Sequence, residues 1–241
     1  MLAWSDHTYA SHGAQGARTS ATTIAAPISD LDQSLARASL QRVESKEFLF
    51  ADGDAVTHLY RVETGAIALF KVLADGRRQV MGFAFPGDLV GLGIEGEHTM
   101  NAQATRPTRV RCLPVTKLRQ SAAENPALGF KLYEVLAREL AATRDLMLTT
   151  GQRSAIERVA SFLLALSRRN ERNGTDPTRL ELPMTRTDIG DFLGLTIETV
   201  SRTFTKLRAM GLLDLPRCNQ VHLLNRIQLE MLANGGHAGC D

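Results

Sequence analysis

The spacing of hydrophobic and polar positions changes along the 241-residue chain. Over residues 31–115 the apolar runs are short and punctuated by turn residues. Phe48-Leu49-Phe50 runs into Ala51-Asp52-Gly53-Asp54, residues 58–61 lead to Thr64-Gly65, and residues 67–72 lead to Asp75-Gly76. Residues 80–85 end at Pro86-Gly87-Asp88, and residues 110–115 alternate apolar with polar, with Pro114 near the end. An Asp-Gly pair between two apolar runs is a strong hairpin signal, because the favoured two-residue turn needs positive φ. Short strands with glycine turns at this spacing predict a small barrel or roll.

Residues 126–150 follow a helical period. Tyr133, Leu136, Leu140, Thr143, Met147 and Thr150 recur at steps of three and four, a seam about three heptads long. A helix packed on its own roll would need a similar stripe. This seam is narrow, with polar flanks at Arg138, Glu139, Arg144 and Asp145, which favours a two-stranded dimerisation helix. Gly151 ends it. Residues 155–169 predict another helix with Ile156, Val159, Phe162, Leu163 and Leu166 on one face, and residues 179–182 a short strand.

The pattern most tied to function spans residues 184–225. Thr185 and Asp188 match a capping box and open a short helix with Ile189, Phe192 and Leu193 on its buried face. Gly194 suits the left-handed residue that ends a helix, and Leu195 plugs the turn. Thr196 can cap a second helix over residues 197–209. Ile197, Val200, Phe204 and Leu207 are expected on its core face, and Glu198, Ser201, Arg202 and Thr205 on another. Two helices about a three-residue glycine turn form a helix-turn-helix. The residues at 212–215 and 221–224 bracket residues 216–220 as a hairpin wing with a basic tip at Arg217, and residues 227–233 predict a closing helix. Arg can donate two bonds to guanine, Glu can accept from cytosine N4, and Ser can meet thymine. The candidate DNA-contacting set is Glu198, Ser201, Arg202, Thr196, Thr199, Thr205, Lys206, Arg186 and Arg217. Glu198 and Arg202 taken alone could be a surface ion pair worth about 0.3–0.5 kcal/mol; the complete arrangement argues for double-stranded DNA.

Composition narrows the class. With 44% hydrophobic and 22% charged residues, the chain is expected to be globular. No apolar run reaches transmembrane length, and the Ala-, Ser- and Thr-rich residues 1–29 lack the layout of a secretory signal. That stretch is expected to be a flexible tail, followed by a roll at 30–123, the dimerisation helix at 124–152 and the winged domain at 153–241. Residues 1–152 balance sixteen Lys and Arg against sixteen Asp and Glu, whereas residues 153–218 carry eleven against eight. The basic excess sits where nucleic acid would be met. Three scattered cysteines, Cys112, Cys218 and Cys240, have no zinc spacing and suit a reducing cytoplasm.

The stretch Thr185-Arg-Thr-Asp-Ile-Gly-Asp-Phe-Leu-Gly-Leu-Thr-Ile-Glu-Thr-Val-Ser-Arg202 resembles the CRP/FNR family of bacterial transcription regulators, and the likeness runs from about residue 30 to the C-terminus. It takes in Gly53, Gly65 and Gly87-Asp88. The resemblance implies an α+β fold: an N-terminal β-roll of the cyclic-nucleotide-binding jelly-roll type, a long dimerisation helix and a C-terminal winged helix-turn-helix. Glu198, Ser201 and Arg202 are similar to the FNR and FixK side of the family. That implies a homodimeric activator on a palindrome with TTGA-like and TCAA-like halves, acting with RNA polymerase in low-oxygen or nitrogen-related metabolism such as nitrogen fixation. Ile197 stands where the cyclic-AMP receptor branch has Arg.

The same resemblance implies that the roll holds no cofactor. A cyclic nucleotide would need a Glu near Gly91-Leu92 and an Arg near Thr99-Met100, and neither is there; Arg106 and Arg109 fall outside that register. An iron–sulfur cluster needs four thiolates, and the first 111 residues hold no Cys, so Cys112 is expected to be a buried strand residue. His7 and His12 belong to the tail. Gly91-Leu-Gly-Ile-Glu-Gly96 matches GxGxxG without a following helical βαβ unit. The alternative is a regulator whose roll binds an unidentified small molecule. No nucleophile, phosphate-loop or metalloprotease pattern suggests an enzyme. Cys218, beside Arg217 at the wing tip, is a candidate redox position.

Overall fold

The computed structural model describes residues 30–92, 96–130, 132–137, 140 and 153–235. Eight strands build two four-stranded antiparallel sheets: β1 (Ser39–Val43), β2 (Phe48–Phe50), β3 (His58–Thr64), β4 (Ile67–Val72), β5 (Arg78–Ala84), β6 (Leu89–Val90), β7 (Asn101–Ala104) and β8 (Thr108–Pro114). One sheet runs β1-β8-β3-β6 and the other β2-β7-β4-β5. Val43, Phe50, Tyr60, Val62, Ile67, Leu69, Ala84, Val110 and Cys112 fill the space between them. The β3–β4 corner needs Gly65, with φ +88° and a position where a Cβ would lie 2.3 Å from Thr108 Oγ1.

Strand β4 is apolar at successive positions because both of its faces are covered. Ile67 and Leu69 point into the roll. Ala66, Ala68 and Phe70, with Val80, Phe83 and Phe85, point outward and join the core of the C-terminal part. A bulge between Leu69 and Phe70 skips Met81 in the pairing and keeps Val80 on the outward face.

Two helices escaped the sequence reading, which expected strands over residues 31–115 and the next helix only from residue 126. Helix α1 (Asp30–Arg37) and helix α2 (Val115–Glu124) flank the roll. Leu31, Leu35, Leu118 and Leu128 close over Leu59 and Leu113. Each helix has one or two apolar anchors, too few for a periodic signal, and tertiary packing decides. The chain continues as α3, whose residues 126–130, 132–137 and 140 are helical.

The C-terminal part comprises α4 (Ala155–Arg172), β9 (Arg179–Glu181), α5 (Arg186–Leu193), α6 (Ile197–Ala209), β10 (Leu213–Arg217), β11 (Gln220–Leu223) and α7 (Arg226–Ala233). Ser154 and Glu157 cap α4 reciprocally. Residues Val159 to Ser167 of α4 are buried on every side, since the roll's outward face covers one side and α6 and α7 the others. The Phe83 ring stands 5.5 Å from Phe192, which stands 5.9 Å from Phe162. The wing is tighter than residues 216–220 suggested: β10 reaches Arg217, β11 starts at Gln220, and only Cys218 and Asn219 turn the corner. Pro216 is carried inside β10 at a register shift, where a strand tolerates it.

Candidate nucleic-acid interface

The two helices of the candidate interface are set by local chemistry. Thr185 Oγ1 accepts from the Asp188 amide at 3.1 Å while Asp188 Oδ2 accepts from the Thr185 amide at 2.9 Å. Helix α5 ends at Gly194, which adopts φ 65° and ψ 42°, the left-handed region glycine enters freely. Helix α6 begins at Thr196, whose hydroxyl accepts from the Thr199 amide at 3.2 Å. The two helices are tightly joined. A Cβ at Gly190 would lie 2.6 Å from the Leu195 carbonyl oxygen, and Arg158 Nη1 donates to the Leu193 carbonyl at 2.9 Å, tying α5 to α4.

Val200, Phe204 and Leu207 are buried on α6, and Thr203 joins them at 7% exposure. Ile197 does not: the sequence put it on the core face, yet it is 44% exposed. It stands at the first turn, beyond the reach of the core, and lines a shallow open recess with Glu198, Ser201 and Arg202. An apolar side chain there can meet a thymine methyl. Its place immediately before Glu198 was the available signal.

Glu198, Ser201, Arg202, Thr205 and Lys206 are exposed together on one side of α6. The Glu198 amide and then the Thr196 hydroxyl bond to the Glu198 carboxylate and hold it below the usual range, so at neutral pH it acts as an acceptor. Three of the candidate hydroxyls are already engaged. Thr196 and Thr199 lie 3.1 Å apart at the cap, and Thr205 donates to the Ser201 carbonyl at 3.1 Å. Glu198 is likewise held at the cap, and with Ser201 and Arg202 it lines the open recess at the start of α6. Arg186, first residue of α5, is half-buried with its guanidinium 3.4 Å over the Phe204 ring. Burial pulls its pKa down to about 10, so it remains a cation at neutral pH. Arg217 and Cys218 are exposed at the wing.

The seam residues Tyr133, Leu136 and Leu140 are 65%, 42% and 52% exposed on α3; Thr143 and Met147 lie outside the described residues. His7, His12 and Cys240 do too. Cys112 is buried in β8, and burial pushes its thiol pKa up. Arg106 points away from the roll and bonds Glu181 of β9 at 2.6 Å, and Arg109 is exposed. Among the described residues, no helix is long and apolar enough to cross a membrane, and no three His, Cys, Asp or Glu side chains group as a metal site.

This geometry agrees with what known proteins share with the chain. Residues 157–232 match the family model of the Crp-like helix-turn-helix domain, and residues 40–125 match the cyclic nucleotide-binding domain. The nitrogen fixation regulation protein FixK of Bradyrhizobium diazoefficiens is 41% identical over 189 residues, which is 78% of this chain and 79% of FixK. The transcriptional activator Anr of Pseudomonas protegens is 38% identical over 195 residues, 80% of each chain. The solved structure of FixK2 from Bradyrhizobium japonicum superposes with a TM-score of 0.77 at 36% identity, covering 84% of this chain and 99% of that one.

Proposed function

The chain belongs to the CRP/FNR family of bacterial transcription regulators and binds DNA, and from that premise we propose that it acts as a cytoplasmic homodimeric activator on a TTGA–TCAA-like palindrome. The observation that carries this reading is the exposed, mutually adjacent set Glu198, Ser201 and Arg202 on α6. Arg202 has the fork to bond guanine O6 and N7, the Glu198 carboxylate accepts from cytosine N4, and Ser201 and Ile197 suit thymine. Arg186, Lys206 and Arg217 flank them as phosphate contacts, which orient the protein without selecting sequence.

Dimerisation is assigned to Tyr133, Leu136 and Leu140, large apolar side chains exposed along α3, with Thr143 and Met147 continuing the seam. A two-fold dimer presents its recognition helices about 34 Å apart, one turn of DNA. In this reading residues 30–123 form the roll, 124–152 the dimerisation helix and 153–241 the winged domain, preceded by a tail at 1–29. The relatives' names, a nitrogen fixation regulation protein and a transcriptional activator, support activation and nitrogen-related control; low-oxygen control and action with RNA polymerase belong to the same proposal. In this reading the roll works without a cyclic nucleotide, since the Glu for its ribose is missing near Gly91-Leu92 and the Arg for its phosphate is missing near Thr99-Met100, and packed side chains fill the interior.

Fluorescence anisotropy with a duplex carrying the palindrome tests this. Wild type should bind it tightly without added nucleotide and bind a scrambled duplex at least about a thousandfold more weakly. The Leu136→Glu/Leu140→Glu variant should be monomeric in light scattering and lose specific affinity. A dimeric double variant would overturn the assigned seam, and equal affinity for the scrambled duplex would overturn the palindrome.

A further inference from the structure

The roll and the helix-turn-helix meet through charge as well as apolar surface. Arg78, the first residue of β5, places Nη1 2.5 Å from Asp188 Oδ1 and 3.5 Å from Asp191 Oδ2. Its guanidinium lies 4.1 Å over the Phe70 ring. Its neighbour Gln79 donates from Nε2 to the Asp191 carbonyl at 2.8 Å. Asp188 is no bystander on α5. Its other carboxylate oxygen accepts from the Thr185 amide and hydroxyl, at 2.9 Å and 2.7 Å. One carboxylate therefore closes the N-terminus of α5 and receives the roll's arginine.

Helix α5 passes that restraint on to α6. The contact of Gly190 with the Leu195 carbonyl leaves no room for a Cβ, Arg158 holds the end of α5, and Arg186 is stacked on Phe204 of α6. Meanwhile Glu198, Ser201, Arg202 and Thr205 stay exposed, so the docked arrangement leaves the reading face open. Burial by itself would raise the Asp188 carboxyl, yet the bonds from Arg78 and Thr185 prevail and hold it below the usual range.

We propose that Arg78 is a positioning residue for DNA recognition: through Asp188 the roll sets the angle of each recognition helix, and so the half-site spacing the dimer accepts. This rests on the dimer-on-palindrome reading above. The apolar contact of Phe83 with Phe192 at 5.5 Å holds the middle of α5 on the roll by burial, and the Arg78–Asp188 pair adds a polar restraint at its N-terminal end. The ion pair is directional: one guanidinium nitrogen, Nη1, meets both Asp188 and Asp191 while the guanidinium lies over Phe70, and the Arg78–Asp188 pair is shielded, with side chains 25% and 12% exposed. Among the described residues, the bonds between roll and C-terminal part other than those of Arg78 and Gln79 do not reach α5. Arg169 bonds Asp88 at 3.1 Å from the far end of α4. Arg106 bonds Glu181 with side chains 45% and 59% exposed, where solvent weakens the pair.

The experiment uses the full-length protein and a series of palindromic duplexes whose half-sites are separated in steps of one base pair. Affinity is read by anisotropy beside thermal midpoints, for wild type, Arg78→Gln, Arg78→Lys and Arg106→Gln. Wild type should prefer one spacing. Arg78→Gln should lose about tenfold at that spacing and less at its neighbours, so the profile flattens, while affinity for a duplex with one half-site is unchanged. Arg78→Lys keeps the charge and stem without the planar guanidinium over Phe70 and should fall between the two. It also serves as the folded comparison if the Gln variant is unstable. Arg106→Gln should match wild type. An equal loss at every spacing, no loss, or a gain in affinity for both Arg78 variants would overturn the proposal. A wild-type profile flat across the series would overturn the dimer reading itself, and the proposal with it.

Discussion

Arg186 sits 3.4 Å above the ring of Phe204, so the first residue of α5 is seated on the side of the recognition helix that faces the core. Phe204 is 1% exposed, and Arg186 Nη1 is buried without a hydrogen-bond partner among the described residues. A guanidinium over an aromatic ring contributes on the order of 0.5–2 kcal/mol. Covering the ring and meeting phosphate are separable roles for this side chain. Arg186→Met should keep the apolar cover and change stability by less than about 1.5 kcal/mol. It should weaken DNA binding across all sequences and reduce the slope of log affinity against log salt by about 1. An unchanged slope would place Arg186 away from the backbone.

Gly190 and Gly194 answer different needs and should fail differently. Gly194 requires a positive φ, and Ala there costs about 1–2 kcal/mol. Gly190 has an ordinary φ, but its added Cβ would meet the Leu195 carbonyl at 2.6 Å. Gly190→Ala must push the turn, and α6 with it, away from α5. It should therefore weaken specific DNA binding more than Gly194→Ala does at equal thermal destabilisation. Parallel melting and anisotropy measurements check this, and equal losses would remove the distinction.

Much of this was legible in the sequence, and the reasons are local. The capping box of Thr185 and Asp188, the left-handed Gly194 and the cap at Thr196 each depend on residues within a few positions. The outward role of β4 was not legible. An alternating strand has one wet face, and nothing near Ala66, Ala68 and Phe70 announces that α4 and α5 will cover the other. The Arg78–Asp188 pair spans 110 positions, and no local pattern reports it. Ile197 was misplaced because helical periodicity assigns a face without knowing where the core ends.

The two carboxylates facing Arg78 should give opposite acid responses. Burial works against the Asp188 charge, but bonds from Arg78 and Thr185 hold its carboxyl below the ordinary value of 3.8. Its stabilising contribution is therefore full above that value and is lost as pH falls through the lower folded one. Burial first, and the nearby Asp188 charge, raise Asp191 above 3.8 despite Arg78. Its contribution is present at low pH and lost as pH rises through the folded value. At neutral pH Asp188→Asn should destabilise clearly, and Asp191→Asn should cost less or stabilise. Near pH 3 the penalty of Asp188→Asn should shrink. Denaturant unfolding at both pH values checks the pair, and a pH-independent penalty for Asp188→Asn would contradict it.

The central claim, that the exposed face of α6 reads base edges, is tested most directly by a base-substitution series. Each position of one TTGA half-site is changed in turn, and affinities are measured for wild type and Arg202→Ala. Wild type should lose about 1–3 kcal/mol when the guanine is replaced. Arg202→Ala should bind more weakly overall and lose its discrimination at that guanine, while still discriminating at the remaining positions. If Arg202→Ala still rejects a replaced guanine as strongly as wild type, the assignment of Arg202 as its reader is wrong.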